Sequence, residues 1–97
     1  MYPTEEDLHK IIHWNQPAYK QLMSCVYHMF ISMKFGICKY TGRQRHGHRY
    51  TLITSGWSGC EDVIHALQSN TQFWHRCWYQ STVGGKYVLY IPSDLHH

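Results

Sequence analysis

Apolar positions follow a helical period in the first third of this chain and a strand-like period of two near its end. Leu8, Ile11 and Ile12 recur at helical spacing. Ahead of them Thr4 and Asp7 stand three apart, the spacing of a capping box with Pro3 before it, and Asn15 and Pro17 end the segment. A longer stripe of Ala18, Leu22, Cys25, Val26, Met29, Phe30 and Met33 follows. It predicts a second helix with Pro17 in its first turn, Lys34 in its last turn and Gly36 as the left-handed stop. Lys20, Gln21, Ser24, His28 and Ser32 take much of the polar side, while Tyr19, Met23, Tyr27 and Ile31 widen the apolar arc. Such a helix sits centrally or offers a second face to a partner.

Between Cys38 and Arg49 the periodicity vanishes and Gly42, Gly47 and basic residues cluster, which predicts a loop or the tip of a hairpin. Tyr50 to Thr54 alternate and are rich in β-branched residues, so they predict a strand. The turn Ser55-Gly56-Trp57-Ser58-Gly59 leads into a third helix, with Ser58 and Glu61 spaced as a capping box and Cys60, Val63, Ile64 and Leu67 as its buried stripe. Asn70 closes it. Gln72 to Ser81 and Lys86 to Ile91 predict two strands joined through Val83-Gly84-Gly85, with Pro92 ending the second. The order is then α-α-β-α-β-β, an α+β fold with a small antiparallel sheet packed by helices. One domain over 1–97 is expected, divided into a helical part at 1–36, a basic loop at 37–49 and a βαββ part at 50–92.

Composition narrows the class. At 97 residues with 43% apolar and 15% charged positions the chain carries a core and is not a disordered segment. The longest apolar stretch, Val26 to Met33, is interrupted by His28 and Ser32 and falls well short of a membrane span of about 20 residues. Acidic Glu5, Glu6 and Asp7 stand where a signal peptide needs basic and then apolar residues. Cys25, Cys38, Cys60 and Cys77 contain no C-x-x-C pair, which favours reduced thiols over a disulfide framework or a cysteine-rich zinc site. The expectation is a soluble protein of a cytoplasm. The net charge of +3 is mild, although nine histidines would raise it on acidification.

Gly56-Trp57-Ser58-Gly59, Glu61-Asp62, Ala66-Leu67, Asn70, Phe73-Trp74, Trp78 and Gly84-Gly85-x-Tyr87 together resemble a small uncharacterised protein type encoded by bacteriophages. The resemblance covers residues 50–91 and leaves out the two N-terminal helices. It implies a mobile-element origin and a host-cell cytoplasm, and it carries over no catalytic residue.

Several residue patterns point to chemistry. Gly56-x-Ser58-x-Cys60 sits where a strand enters a helix, as in a nucleophile elbow, yet the closing glycine is replaced by Cys60. A cysteine enzyme centred on Cys60, with His46, His48 or His75 as base, is one reading; a helix cap over a small core thiol is the plainer one. From Cys38 the nearest arginines miss the C-x5-R phosphatase spacing on both sides. His9 with His13, and His46 with His48, each place two imidazoles on one side of a helix or strand. Two nitrogens without further ligands do not make a metal site, so no metal and no cofactor is expected. More distinctive is Arg43-Gln44-Arg45-His46-Gly47-His48-Arg49-Tyr50, whose three arginines can engage phosphates or carboxylates. Strand alternation over 72–81 sets Trp74, Arg76 and Trp78 on one face, a set of residue types frequent at binding hot spots.

These residues make a non-catalytic module the leading expectation. Its partner surface would be Arg43, Arg45, His46, His48, Arg49 and Tyr50, together with Trp74, Arg76 and Trp78. The partner would be a host protein or protein–nucleic acid complex, with no membrane involved. The phage resemblance adds an analogy to anti-CRISPR proteins, that is, to inhibitors of host defence nucleases. A nucleic-acid-binding module using Arg43 to Arg49 is the alternative, and a homodimer through the tryptophan face would use the same surface.

Overall fold

The computed structural model describes residues 3–34 and 36–96. Four helices and four strands follow one another as α1 (Glu5–Ile12), α2 (Tyr19–Met33), β1 (Ile37–Gln44), β2 (Gly47–Ile53), α3 (Ser58–Ser69), α4 (Thr71–Cys77), β3 (Trp78–Thr82) and β4 (Lys86–Ile91), with a 3-10 turn at Ser93–Leu95. This is an α+β fold, as the patterning predicts. The order differs by one strand and one helix. Cys38 to Gln44 form a full strand, so only Arg45 and His46 remain as the tip of the basic segment. Thr71 to Cys77 form a helix instead of the first half of a strand.

Each helix boundary has a local cause. The α1 capping box is complete: Asp7 N–H donates to Thr4 Oγ1 at 3.1 Å, and Thr4 N–H donates to Asp7 Oδ2 at 3.3 Å. Helix α2 begins after Ala18, leaving Pro17 outside it, and ends at Lys34, which itself takes the left-handed conformation at φ 70°. Gly36 is therefore not the stop. A side chain there would strike the Cys60 sulfur and the Phe30 ring, so glycine is needed for close packing of the chain against α3. Helix α3 lacks the expected Ser58 cap: Trp57 is its N-cap residue and makes no side-chain cap bond. Glu61 turns instead to accept the hydroxyl hydrogen of buried Thr54.

Asn70 ends α3, as expected, and begins α4 as well. Its Oδ1 accepts from Phe73 N–H at 3.2 Å, while its Nδ2 donates to the carbonyls of Ile11 at 3.0 Å and Trp14 at 2.9 Å. One buried side chain thus ties the end of α1 to the α3–α4 corner.

The sheet is antiparallel throughout, in the order β1-β2-β4-β3, two hairpins set side by side. Register puts Tyr50 opposite Leu89, Leu52 opposite Tyr87 and His48 opposite Ile91. Tyr50, Leu52, Leu89 and Ile91 from that face join the core, where they meet Leu22, Val26 and Phe30 of α2, Val63, Ile64 and Leu67 of α3, and Phe73 of α4. The opposite face presents Lys39, Arg49, Thr51, Ile53, Lys86 and Tyr90, none of which belongs to that core. The helices cover one face only. Among the described residues no helix is long and apolar enough to cross a membrane.

Candidate binding surface

The strands carry Lys39, Arg43, Arg49 and Lys86, with Arg45 in the first hairpin, and no carboxylate stands on any of them. Glu5, Glu6 and Asp7 open α1, Glu61 and Asp62 lie at the start of α3, and Asp94 sits in the 3-10 turn. Acidic residues at helix starts face the positive end of the backbone dipole. Segregation of the two signs therefore leaves the sheet uniformly basic, in a molecule whose net charge is small.

Most of the expected surface gathers at one end of that sheet. Gly47, at φ 123°, closes the Arg45–His46 turn; a side chain on it would collide with the Ile91 carbonyl, so glycine lets β2 enter the sheet beside β4. Beyond the turn the His46 ring stacks on Tyr79 at 5.7 Å and meets Tyr90 edge-on at 5.4 Å. Arg49 Nη1 donates to the Tyr90 hydroxyl at 3.3 Å and the guanidinium lies 5.9 Å from the centre of that ring. Tyr79 is 53% exposed. Neighbouring Trp78, 46% exposed, donates its indole N–H to Ser81 Oγ at 2.8 Å.

The tryptophan part of the expectation is corrected by α4. Trp74 and Arg76 lie on a helix and do not share a strand face with Trp78 and Gln80. Trp74 is half-buried, stacked on Trp78 at 6.4 Å and edge-on to Tyr87 at 6.2 Å, while Arg76 is exposed in the last turn of α4. Trp78 pairs with core-facing Leu89, so alternation puts Tyr79 on the outer face, against Tyr90 at 5.0 Å, and the register shifts before Gln80.

His46 and His48 do not point the same way either. His48 turns to the helix-covered face, where its ring stacks on His96 at 3.7 Å and its Nδ1 is hydrogen-bonded to the Tyr40 hydroxyl at 2.7 Å. The Tyr50 hydroxyl is hydrogen-bonded to His96 Nε2 at 2.8 Å. Burial pushes the Tyr50 phenol up to about 12, and Tyr40 and Cys38 add to the rise, so it stays neutral. Burial holds the His48 imidazole below its ordinary value, assisted by Arg43 and Lys20. Tyr50 is thus a structural member of this cluster and not a solvent-facing contact. His96 belongs to the cluster too, a residue that local spacing did not single out; its signal is Pro92, after which the short turn Ser93–Leu95 brings it back to the sheet.

Alongside this cluster a groove of about 770 Å³ runs between α2 and β1. Sequence reasoning missed it, because it treated 37–49 as a loop.

The remaining chemistry is sparse. Cys60 is fully buried, and burial followed by the nearby Glu61 carboxylate raises its thiol pKa, the conditions of a core thiol and not of a nucleophile. Cys38 and Cys77 are pushed up to about 12 by burial. His9 and His13 stand 4.2 Å apart ring to ring, and among the described residues no group of three or more potential ligands converges.

No family model matches the chain, and neither a curated protein nor a solved structure is significantly similar to it.

Proposed function

We propose that the protein is a non-catalytic binding module that docks the basic, aromatic end of its sheet onto an acidic surface of a partner protein. One observation carries this reading: Arg43, Arg45 and Arg49 share the hairpin with His46, which stacks on exposed Tyr79 next to Trp78 in the chain, and no strand holds a carboxylate to neutralise them. Arginine and large aromatics dominate binding hot spots because they give much contact area and fork-shaped hydrogen bonding for little lost side-chain freedom. The finer expectation, a phage-type inhibitor of a host defence nuclease, rests on the resemblance of residues 50–91 alone.

Capture from a bacterial lysate with the intact protein as bait tests the reading. A stoichiometric protein complex lost in both Arg45→Glu and Trp78→Ala, and kept in Lys34→Glu, is the expected result. The stacked His46–Tyr79 pair favours one second reading, since exposed aromatics among arginines also stack bases. Anisotropy with a labelled single-stranded oligonucleotide distinguishes the two. Tight binding that weakens steeply with salt, with no protein retained from the lysate, would replace protein docking by nucleic-acid binding.

A further inference from the structure

Four consecutive residues of β1, Ile37 to Tyr40, line the groove beside α2. Strand side chains alternate between faces, and register sets Cys38 and Tyr40 on the helix-covered face and Ile37 and Lys39 on the open one. The cavity touches both sets and is also lined by His48 and Tyr50 of β2, so it opens from the helix-covered face and reaches round the strand's edge. Among the described residues that edge has no strand partner: β1 pairs with β2 alone. Beyond Tyr40 the register shifts before Gly42, so the regular stretch available for pairing is Ile37–Tyr40, about 13 Å of extended chain. The opposite edge of the sheet offers less, because β3 is irregular between Trp78 and Gln80 and Trp78 is bonded to Ser81 across that irregularity.

The far wall of the groove is one helical stripe of Lys20, Met23, Ser24 and Tyr27. Ile37 is 50% exposed and Tyr40 48%, so apolar surface is open on both sides of the edge. Lys20 and Lys39 are charged lining residues, and among the described residues no carboxylate borders the cavity. We infer that the free edge of β1 takes up an extended, acidic segment of a partner polypeptide as a fifth strand. The segment's side chains facing α2 are aromatic or aliphatic and meet Tyr27 and Tyr40. Those facing the open side are acidic and meet Lys39. Backbone pairing supplies affinity, and the alternating pockets supply selectivity. A second copy of this chain fits badly, because β1 against β1 gathers the Lys20 and Lys39 of both copies in one short interface with nothing to offset them.

This surface is separate from the sheet end proposed above, and either can fail alone. The probe is a capped five-residue synthetic peptide alternating glutamate with phenylalanine and valine, titrated into the whole protein and followed by amide chemical shifts. Expected are saturable shifts at Ile37, Cys38, Lys39 and Tyr40, slower hydrogen exchange of their amides, and binding that falls at least about tenfold in Lys39→Glu and in Tyr27→Ser. Both substitutions are at exposed positions, and circular dichroism checks that the fold is kept. Arg45→Glu leaves the peptide's affinity unchanged. A backbone N-methylated version of the peptide should not bind. The inference is overturned by the absence of shifts at millimolar peptide, by equal binding of the N-methylated or a lysine-for-glutamate peptide, by shifts confined to the Arg45–His46 turn, or by a β1-mediated dimer that the peptide fails to dissociate.

Discussion

Asn70 shows how much one side chain can hold. It is 5% exposed, ends α3 and starts α4, and spends both amide hydrogens on the carbonyls of Ile11 and Trp14 where α1 terminates. Replacing it with alanine removes the cap of Phe73 N–H and the bonds to both carbonyls, of which Ile11 keeps Trp14 N–H as a donor, so Asn70→Ala is expected to cost about 1–2 kcal/mol in urea unfolding. Asn70→Asp keeps an acceptor for Phe73 N–H but turns oxygen toward the Ile11 and Trp14 carbonyls, and is expected to recover none of the loss. A fully stable aspartate variant would show that the cap alone matters. At this scale the sequence was half legible. An asparagine at a helix end is a familiar local signal, whereas partners 56 and 59 residues away leave no trace in local spacing.

At the scale of elements, the patterning found every helix it expected and misread two stretches, each for its own reason. Over residues 72–81 the aromatic and β-branched content argues for strand, but Asn70 supplies an N-cap and Phe73 and Cys77, four apart, bury one helical face. Tertiary burial decided between two periods that a short segment cannot separate. Cys38 to Gln44 lost their strand signal because β1 is an edge with polar residues on both faces, where alternation is weakest. The α2 terminus was misplaced by two residues. Lys34 carries the left-handed turn that Gly36 was expected to carry, because Gly36 is held against fully buried Cys60 and Phe30. Two substitutions check this directly. Lys34→Gly is expected to stabilise by about 0.5–1 kcal/mol by relieving a left-handed conformation that a side chain disfavours. Gly36→Ala is expected to destabilise by about 1–3 kcal/mol through overpacking. Were Gly36 the helix stop after all, Lys34→Gly would weaken the last turn of α2 and lower the melting temperature.

Across the whole molecule, charge is sorted by layer, and His48 reports the consequence. It stands where β1, β2, α2 and the chain end meet, near Arg43 and Lys20, with the Tyr40 hydroxyl and the His96 ring against it. Its imidazole is held below the ordinary value of about 6.5, first by burial and then by those two cations. Below that ordinary value the unfolded chain takes up the His48 proton before the folded protein does. Stability must therefore fall as pH drops from about 6.5 toward the folded value and level off below it, while above neutrality His48 contributes no slope. His48→Gln is expected to flatten that slope in thermal melts recorded between pH 4 and 8. Salt is expected to remove only a lesser share of it, because the repulsion by Arg43 and Lys20 is screened and the burial penalty is not. A slope that salt abolishes entirely would make the cations the main cause, and a slope unchanged in His48→Gln would move the acid sensitivity elsewhere.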